Sequence, residues 1–368
     1  MENQVLNHKP TKRMMSVDAL RGFDMFWIIG GSAIFTGLAN AVGGPLEAIT
    51  PQFQHVPWEG LHFEDLIWPL FMFIVGVSIP LSVEKRRAMN TTKRHLYLHA
   101  IRRVLILFFL GMVLQGGLLK WDLSQLHPFY SVLHGIAAGY LIAVVVVIEL
   151  RPNMQLAIIP FFLLLYWAVL ELVPVPGIGE GVLTPDGNVA IWIDRMVQGK
   201  FHFGENTWFL SYMGFASSVL LGVLASRLLM SSYTEKTKVL MLSGSGIACI
   251  AIGLIWSIVF PIIKLLWTSS FVLVSGGFSF LMLALFYWII EVKGYRRWAF
   301  FFTVIGMNSI VVYVVTSLFS FKQIGNIFVG SLLSRTKPWD EFVSATAAVT
   351  VVWLILYWMY RSKTFVKL

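Results

Sequence analysis

The sequence predicts an all-α fold, a polytopic integral membrane bundle of about ten transmembrane helices with both termini in the cytoplasm. Three observations support this prediction: the apolar composition, a series of long apolar runs, and a one-sided distribution of Lys and Arg. Of the 368 residues, 57% are hydrophobic and only 13% are charged. A soluble domain cannot bury so much apolar surface, so most of it is expected to face lipid or neighbouring helices.

Ten apolar runs provide the predicted spans. Crossing the hydrocarbon core takes about 20 residues as helix, and helices satisfy their own backbone hydrogen bonds in lipid. The runs are 17–40, 65–83, 101–118, 131–150, 154–174, 208–229, 238–260, 267–290, 299–320 and 343–360. No Pro-rich or Gly/Ser-rich linker interrupts the series, so residues 1–368 are interpreted as a single membrane domain.

Lys and Arg are concentrated in alternate connections between these runs. With the N-terminal segment 1–15 in the cytoplasm, 20 of the 28 basic residues fall in cytoplasmic segments and 7 in outer ones. The positive-inside rule predicts this orientation, in an inner or plasma membrane. The net charge of +9 is then explained by topology and by contact with an anionic leaflet, so nucleic acid is not an expected partner.

Two outer loops are long and punctuated by Pro and Gly, at residues 41–64 and 175–207. Loops of this length within a compact domain are usually functional rather than simple connections. We therefore expect chemistry on the outer side of the membrane.

Three ionisable residues, Asp18, Arg21 and Asp24, lie in the first predicted span at spacing i, i+3, i+6. Consecutive members share one flank of a helix, where they face either the bundle interior or a water-filled cavity. One interpretation is a structural cluster in which the acids and Arg21 satisfy each other. The other is a functional one, because charges in spans commonly line a substrate or ion path.

The entrance of the second span is rich in His and carboxylates, with His55, Glu59, Glu64 and Asp65 within eleven residues. A His that titrates near neutral pH is a common proton carrier, and a neighbouring carboxylate can fix its tautomer. This pattern makes His55 a candidate catalytic base that Asp65 and Glu59 would orient, although a His in a loop is most often a surface residue.

A metal site is not expected. The only cysteine, Cys249, lies in an apolar run, and no His spacing is typical of a metal site. Asn308 and Ser309 in the ninth run are explained either by helix packing or by a polar path through the bundle. Lys264, in an apolar outer connection, could reach the membrane interface or receive an anion.

Several strings of the sequence resemble the heparan-alpha-glucosaminide N-acetyltransferase family and its bacterial relatives. The strings are 16–22 (SVDALRG), 55–61 (HVPWEGL), 65–76 (DLIWPLFMFIVG), 264–267 (KLLW), 292–294 (VKG) and 306–313 (GMNSIVVY). Their order and spacing are more specific than any single string. The resemblance implies a membrane acetyltransferase that takes acetyl groups from cytoplasmic acetyl-CoA and delivers them to an amino sugar on the other side.

Of the site residues, only His55 takes its role from the resemblance; the other roles are those that acetyl transfer would require of the residues nearby. His55 would be the catalytic His, either as base or as the nucleophile of an acetyl-imidazole intermediate, with Asp65 and Glu59 beside it. Trp58, His134 and Lys264 would contact the sugar or glycan acceptor. The groups that would bind acetyl-CoA are Arg103, Arg21, Asp18, Asn308 and Ser309.

Two departures and one alternative remain. Where relatives are expected to carry a Gln-Arg pair, this chain has His134-Gly135, and it has Thr316-Ser317 where the lysosomal enzyme has His-Glu. Substrate contacts are therefore expected to differ. The alternative function is an ion-coupled transporter of a small sugar or anion, with Asp18, Arg21 and Asp24 as coupling groups. A homodimer is an assembly that the sequence leaves open.

Overall fold

The structure, a computed structural model, describes residues 14–366, so the predicted N-terminal segment 1–15 lies almost entirely outside the described residues. In chain order the helices are α1 (Met15–Val42), α2 (Phe63–Ala88), α3 (Lys93–Leu114), α4 (Val132–Glu149), α5 (Pro152–Leu172), α6 (Val189–Gln198), α7 (Tyr212–Met230), α8 (Glu235–Trp256), α9 (Ser269–Val292), α10 (Ala299–Gly306), α11 (Ser309–Leu318), α12 (Phe321–Leu333) and α13 (Asp340–Arg361).

Between residues 14 and 366, nine of these helices are long and apolar enough to cross a membrane. The pair α10 and α11 passes the same test together as a tenth span that is bent by 73°. The predicted all-α membrane bundle of about ten helices is confirmed. The cytoplasmic position of both termini stays a prediction.

The connections between spans meet on two faces of the bundle. We call the side where α2 ends and α3 begins the arginine face; there Lys93 of α3 pairs with Glu149 of α4 at 2.9 Å. We call the side where α1 ends and α2 begins the histidine face, because it carries His55. The two long loops, 41–64 and 175–207, both lie on the histidine face, where Trp58 Nε1 of the first donates to the carbonyl oxygen of Leu183 in the second (2.9 Å).

Close helix contacts depend on glycine. A Cβ on Gly76 of α2 would lie 1.9 Å from the carbonyl oxygen of Val219 in α7, and one on Gly306 of α10 would lie 2.0 Å from that of Asp18 in α1. Small residues let backbones in a membrane approach this closely, and van der Waals packing then holds the helices together. The predicted packing role of the 306–309 region is thus met by Gly306.

The third span is shifted from its predicted position. Apolar residues predicted a span at 101–118, but α3 begins at Lys93 and ends at Leu114. Hydropathy placed the start of this helix too late, because the helix begins before the apolar core, in a segment rich in basic residues. The long basic side chains of that segment can reach the membrane interface. Arg102 and Arg103, predicted at the start of the span, consequently lie nine and ten residues past the first residue of α3.

The ninth span, predicted as continuous over 299–320, is broken between Gly306 and Ser309. At the break, the Asn308 side chain donates to the Thr364 carbonyl (3.2 Å) and accepts from the Val366 N–H (3.1 Å). Asn side chains that hydrogen-bond backbone groups compete with helical hydrogen bonding, and this competition explains the interruption of the helix at Asn308. The ninth span therefore consists of two short helices, α10 and α11, rather than one continuous helix. Helix α12 then packs against α13.

Candidate active site

One cavity of about 700 Å³ extends between the two faces of the bundle. His55 and Lys264 line its end at the histidine face, and Arg86 and Arg103 line its end at the arginine face. The cavity follows residues 67–86 of α2, which is about 28 Å at 1.5 Å per residue, close to the thickness of the hydrocarbon core. It therefore reaches most of the way across the membrane.

At the histidine end, His55 and Asp65 are paired. Nδ1 of His55 lies 2.9 Å from Oδ1 of Asp65, whose side chain is fully buried. The other oxygen, Oδ2, accepts from the backbone N–H groups of Val56 (3.3 Å) and His62 (3.0 Å). These bonds fix the carboxylate, so it can hold the imidazole with its proton on Nδ1 and leave Nε2 available as a base.

Lys264 completes this group of three side chains. Its Nζ lies 2.9 Å from His55 Nδ1 and 3.1 Å from Asp65 Oδ1. Burial lowers the pKa of the Lys264 ammonium, and the Asp65 carboxylate beside it opposes that shift. The loop that carries Lys264 is held against the His55 loop because the N–H of Gly60 donates to the carbonyl of Ile262 (2.9 Å).

Between the ends, Arg21 of α1 lines the cavity. It donates to Ser78 Oγ (2.9 Å) and pairs with Asp18 Oδ1 (3.3 Å). Asp18 is buried and lies behind Arg21 rather than on the cavity wall, while Asp24 is fully buried and also off the wall. The Asp18–Arg21 pair fits the structural interpretation of this cluster. The position of Arg21 on the cavity wall fits the functional interpretation.

The arginine end is lined by cationic and imidazole side chains from two helices. His99, Arg102 and Arg103 project from one side of α3, as their i, i+3, i+4 spacing requires, and Arg86 projects from α2. The guanidinium of Arg103 lies 4.5 Å from the ring centre of Tyr140. Its Nε is buried and has no hydrogen-bond partner among residues 14–366.

Besides Asp18, Asp65 and Asn308, three further predicted site residues do not line the cavity. Glu59 is exposed, and Trp58 uses its indole N–H to hold the two long loops together. His134 is buried, with Nε2 2.9 Å from the carbonyl oxygen of Phe108 and its ring packed on the Phe108 ring. In the described structure Trp58 and His134 contribute to the framework around the cavity.

The predicted pair at the break of the ninth span is divided. Ser309 lines the cavity, whereas Asn308 is buried and bonds the C-terminal segment. That segment reaches the cavity through Val366. Asn308 therefore affects the cavity through the residues it holds.

Sequence reasoning missed several residues on the wall. They are Ser78, Ser82 and His99, together with Glu64, which the sequence offered only as a neighbour of His55. The helical spacing of His99, Arg102 and Arg103 was a usable signal. Within residues 14–366 no group of three or more His, Cys, Asp or Glu is arranged to hold a metal ion, and a metal-free site stays a prediction.

Comparison with known proteins identifies the family. The sequence profile described as heparan-alpha-glucosaminide N-acetyltransferase, catalytic, matches residues 13–255, more than half of the chain. The chain belongs to this family. The resemblance found in the sequence is confirmed, and so is the prediction of an N-acetyltransferase catalytic region.

Two curated relatives extend the match beyond the profile. The chain is 28% identical to heparan-alpha-glucosaminide N-acetyltransferase of Homo sapiens, over 97% of this chain and 60% of that protein. It is 26% identical to the Mus musculus protein of the same name, over 98% of this chain and 62% of that protein. The chain thus spans about three fifths of the length of these relatives.

The family match includes both ends of the cavity. His55, Asp65 and Arg103 lie within the matched residues, whereas Lys264 and the break near Asn308 lie beyond them. The family therefore covers the paired histidine and the arginine cluster, and the curated relatives extend the likeness over the remainder.

Proposed function

We propose that this protein transfers an acetyl group from acetyl-CoA in the cytoplasm to an amino sugar, or a related glycan, on the other side of an inner or plasma membrane. The observation that carries the proposal is the cavity that has a carboxylate-paired His at one end and an arginine cluster at the other. Membership of an N-acetyltransferase family supports the reaction class. The excess of Lys and Arg on the arginine face supports its cytoplasmic position.

The arginine end would receive the nucleotide of acetyl-CoA. Its phosphates are anionic, and Arg86, Arg102 and Arg103 offer guanidinium groups that bind phosphate through charge-assisted hydrogen bonds. The cavity beyond them is bounded by α2, and it would admit the acetyl-bearing arm toward the histidine face. Arg21 and Ser309 line this part of the path.

His55 would carry the chemistry. With Nδ1–H donating to Asp65, Nε2 can take a proton from the acceptor amine during its attack on the acetyl carbonyl carbon. The same nitrogen could instead accept the acetyl group first and pass it to the amine. Both routes need the imidazole to be neutral and oriented, which the Asp65 carboxylate supports.

The acceptor would bind at the histidine end, beside His55 and Lys264. Trp58 and Glu59 belong to the loop that frames this end, and we propose that they shape its outer rim. His134, packed against Phe108, would support the wall from behind.

Labelled acetyl-CoA tests the proposal in sealed vesicles whose arginine face is outward. With glucosamine inside, label supplied outside is expected to appear on the enclosed sugar. His55→Ala should lower this transfer by about 10²-fold or more, since a positioned general base contributes roughly that much. His95→Ala is the matched control, because His95 is exposed on the arginine face and does not line the cavity.

Label that stays outside, or equal transfer by His55→Ala, would contradict the proposal. A transport function predicts the opposite pattern: sugar moves unacetylated, its flux depends on an ion gradient, and Arg21 matters while His55 does not. Pre-incubation without acceptor separates the two chemical routes, because only a covalent intermediate leaves label on the protein.

A further inference from the structure

Glu64 differs in charge from the rest of the cavity wall. Among the described residues that line the cavity, it carries the only carboxylate, in the company of Arg21, Arg86, Arg102, Arg103 and Lys264. A cationic wall suits an anionic donor, but it would repel a protonated amine. One carboxylate at the acceptor end is the group that would offset this repulsion.

The contacts of Glu64 leave its charge without an ion-pair partner. Oε2 accepts a 2.5 Å hydrogen bond from the neutral hydroxyl of Ser32, and among residues 14–366 no Lys, Arg or His forms an ion pair with this carboxylate. The nearby ammonium of Lys264 is within the field of Glu64 but bonds Asp65. With Lys264 and Asp65 compensating each other, one negative charge remains at this end.

The carboxylate is also held in place. Ser32 lies on α1 just after its π-helical turn Trp27–Gly31, so the hydrogen bond joins the first two spans beside the cavity. Glu64 is half-buried, which makes an added cation worth more there than in open water. A carboxylate that is fixed, half-buried and without an ion-pair partner is a binding site for a cation.

We infer that Glu64 binds the acceptor's amine in its protonated form and so selects primary ammonium groups over hydroxyl groups. This inference rests on the proposed function and adds the residue that determines acceptor specificity. Lys264 and Asp65 stay paired when the acceptor is bound, and the ammonium supplies the missing positive charge next to His55.

The proton balance follows from this binding mode. The acceptor arrives as R–NH₃⁺ and loses one proton to water on the histidine face. As the amine nitrogen bonds to the acetyl carbon, His55 takes a second N–H proton and passes it to the leaving thiolate when the carbon–sulfur bond breaks. The products are the neutral amide, the free thiol of coenzyme A and one released proton. Since the amide is uncharged, Glu64 no longer attracts it.

Ligand binding to the purified full-length protein tests this inference without acetyl-CoA. Glucosamine, at a pH where its amine is protonated, is compared with glucose, which has a hydroxyl in its place. The wild-type protein is expected to bind glucosamine about 10- to 100-fold more tightly, as is typical of a hydrogen bond between charged groups. Glu64→Gln should abolish the preference, and Glu64→Asp should keep part of it.

Glu47→Gln is the matched control, since Glu47 lies in the same loop but is exposed and off the cavity. Equal affinity of the wild-type protein for the two sugars would overturn the inference, even if Glu64→Gln fails to fold. An unchanged preference in Glu64→Gln would do so too. Failure of the proposed function is distinguishable: charge-selective binding would persist while label transfer in vesicles is absent.

Discussion

The two ends of the cavity are built in different ways. At the histidine end, Asp65 Oδ1 lies 2.9 Å from His55 Nδ1 and 3.1 Å from Lys264 Nζ, and backbone N–H groups fix the carboxylate. At the arginine end, Arg86 and Arg103 form no ion pair with a described carboxylate. The histidine end therefore has a fixed geometry, and the arginine end presents positive charge without ion pairs.

This difference matches the demands of the two proposed substrates. Proton transfer requires atoms to be placed within a few tenths of an ångström, so rigidity at His55 is useful. Binding an anionic nucleotide needs positive potential and available donors, and it tolerates movement of long side chains. Substitutions at the histidine end should therefore act on kcat, and those at the arginine end on KM for acetyl-CoA.

The largest effect is expected for Asp65→Asn. The amide would still fill the site but could present its NH₂ group to Nδ1, which would reverse the His55 tautomer. We expect kcat to fall by about 10²-fold or more with little change in KM for acetyl-CoA. Steady-state kinetics checks this, with thermal unfolding to confirm that the variant folds. Asp122→Asn, on an exposed loop of the histidine face, is the control. A folded Asp65→Asn protein with a normal kcat would show that Asp65 does not orient His55.

A smaller effect, of the opposite kinetic type, is expected for Arg103→Gln. Losing a charge-assisted contact to phosphate should raise KM for acetyl-CoA by roughly 10-fold while kcat stays near its wild-type value. The rise should shrink at high salt, because screening already weakens the wild-type contact. Arg94→Gln controls for loss of a charge at the same end of α3, since Arg94 is exposed and off the cavity. A fall in kcat alone would contradict the division between the two ends.

The smallest effect concerns pH and Lys264. Because burial lowers the pKa of Lys264, its ammonium loses its proton at a lower pH than an ordinary lysine does as the pH rises. If the positive charge beside His55 assists the reaction, activity should decline on that alkaline side. In Lys264→Arg the charge persists, since arginine stays protonated, so the decline should move to higher pH. The pH profile of kcat/KM measures this; Lys120→Arg should leave it unchanged, and an unmoved decline in Lys264→Arg would exclude Lys264 as its cause.

The sequence predicted the parts of the molecule that depend on local order. Apolar runs and alternating charge yielded the spans, because lipid leaves the chain few alternatives. His55 and Asp65 were predicted as a pair because they lie ten residues apart in one loop, within reach of each other. Their 2.9 Å contact follows from that short separation.

The parts that escaped prediction depend on contacts between distant segments. Ser32 of the first span donates a hydrogen bond to Glu64 at the start of the second. The Asn308 side chain bonds residues near the C-terminus, more than fifty positions away. Hydropathy could not detect the break at Asn308 because the residues on both sides are apolar. His134 looked like a substrate contact, yet nothing in its own sequence surroundings indicates that it packs on Phe108.

The line of positive charge along the cavity has a consequence for the membrane itself. A cavity that reaches most of the way across a membrane could let protons and metal cations leak down their gradients. Arg21, held between Ser78 and Asp18, places a fixed positive charge partway along the passage, and the arginines beyond it add to the barrier. Fixed cations of this kind repel other cations in pores. On the proposed function, a route for the acetyl donor would then coexist with a barrier to the leak of cations.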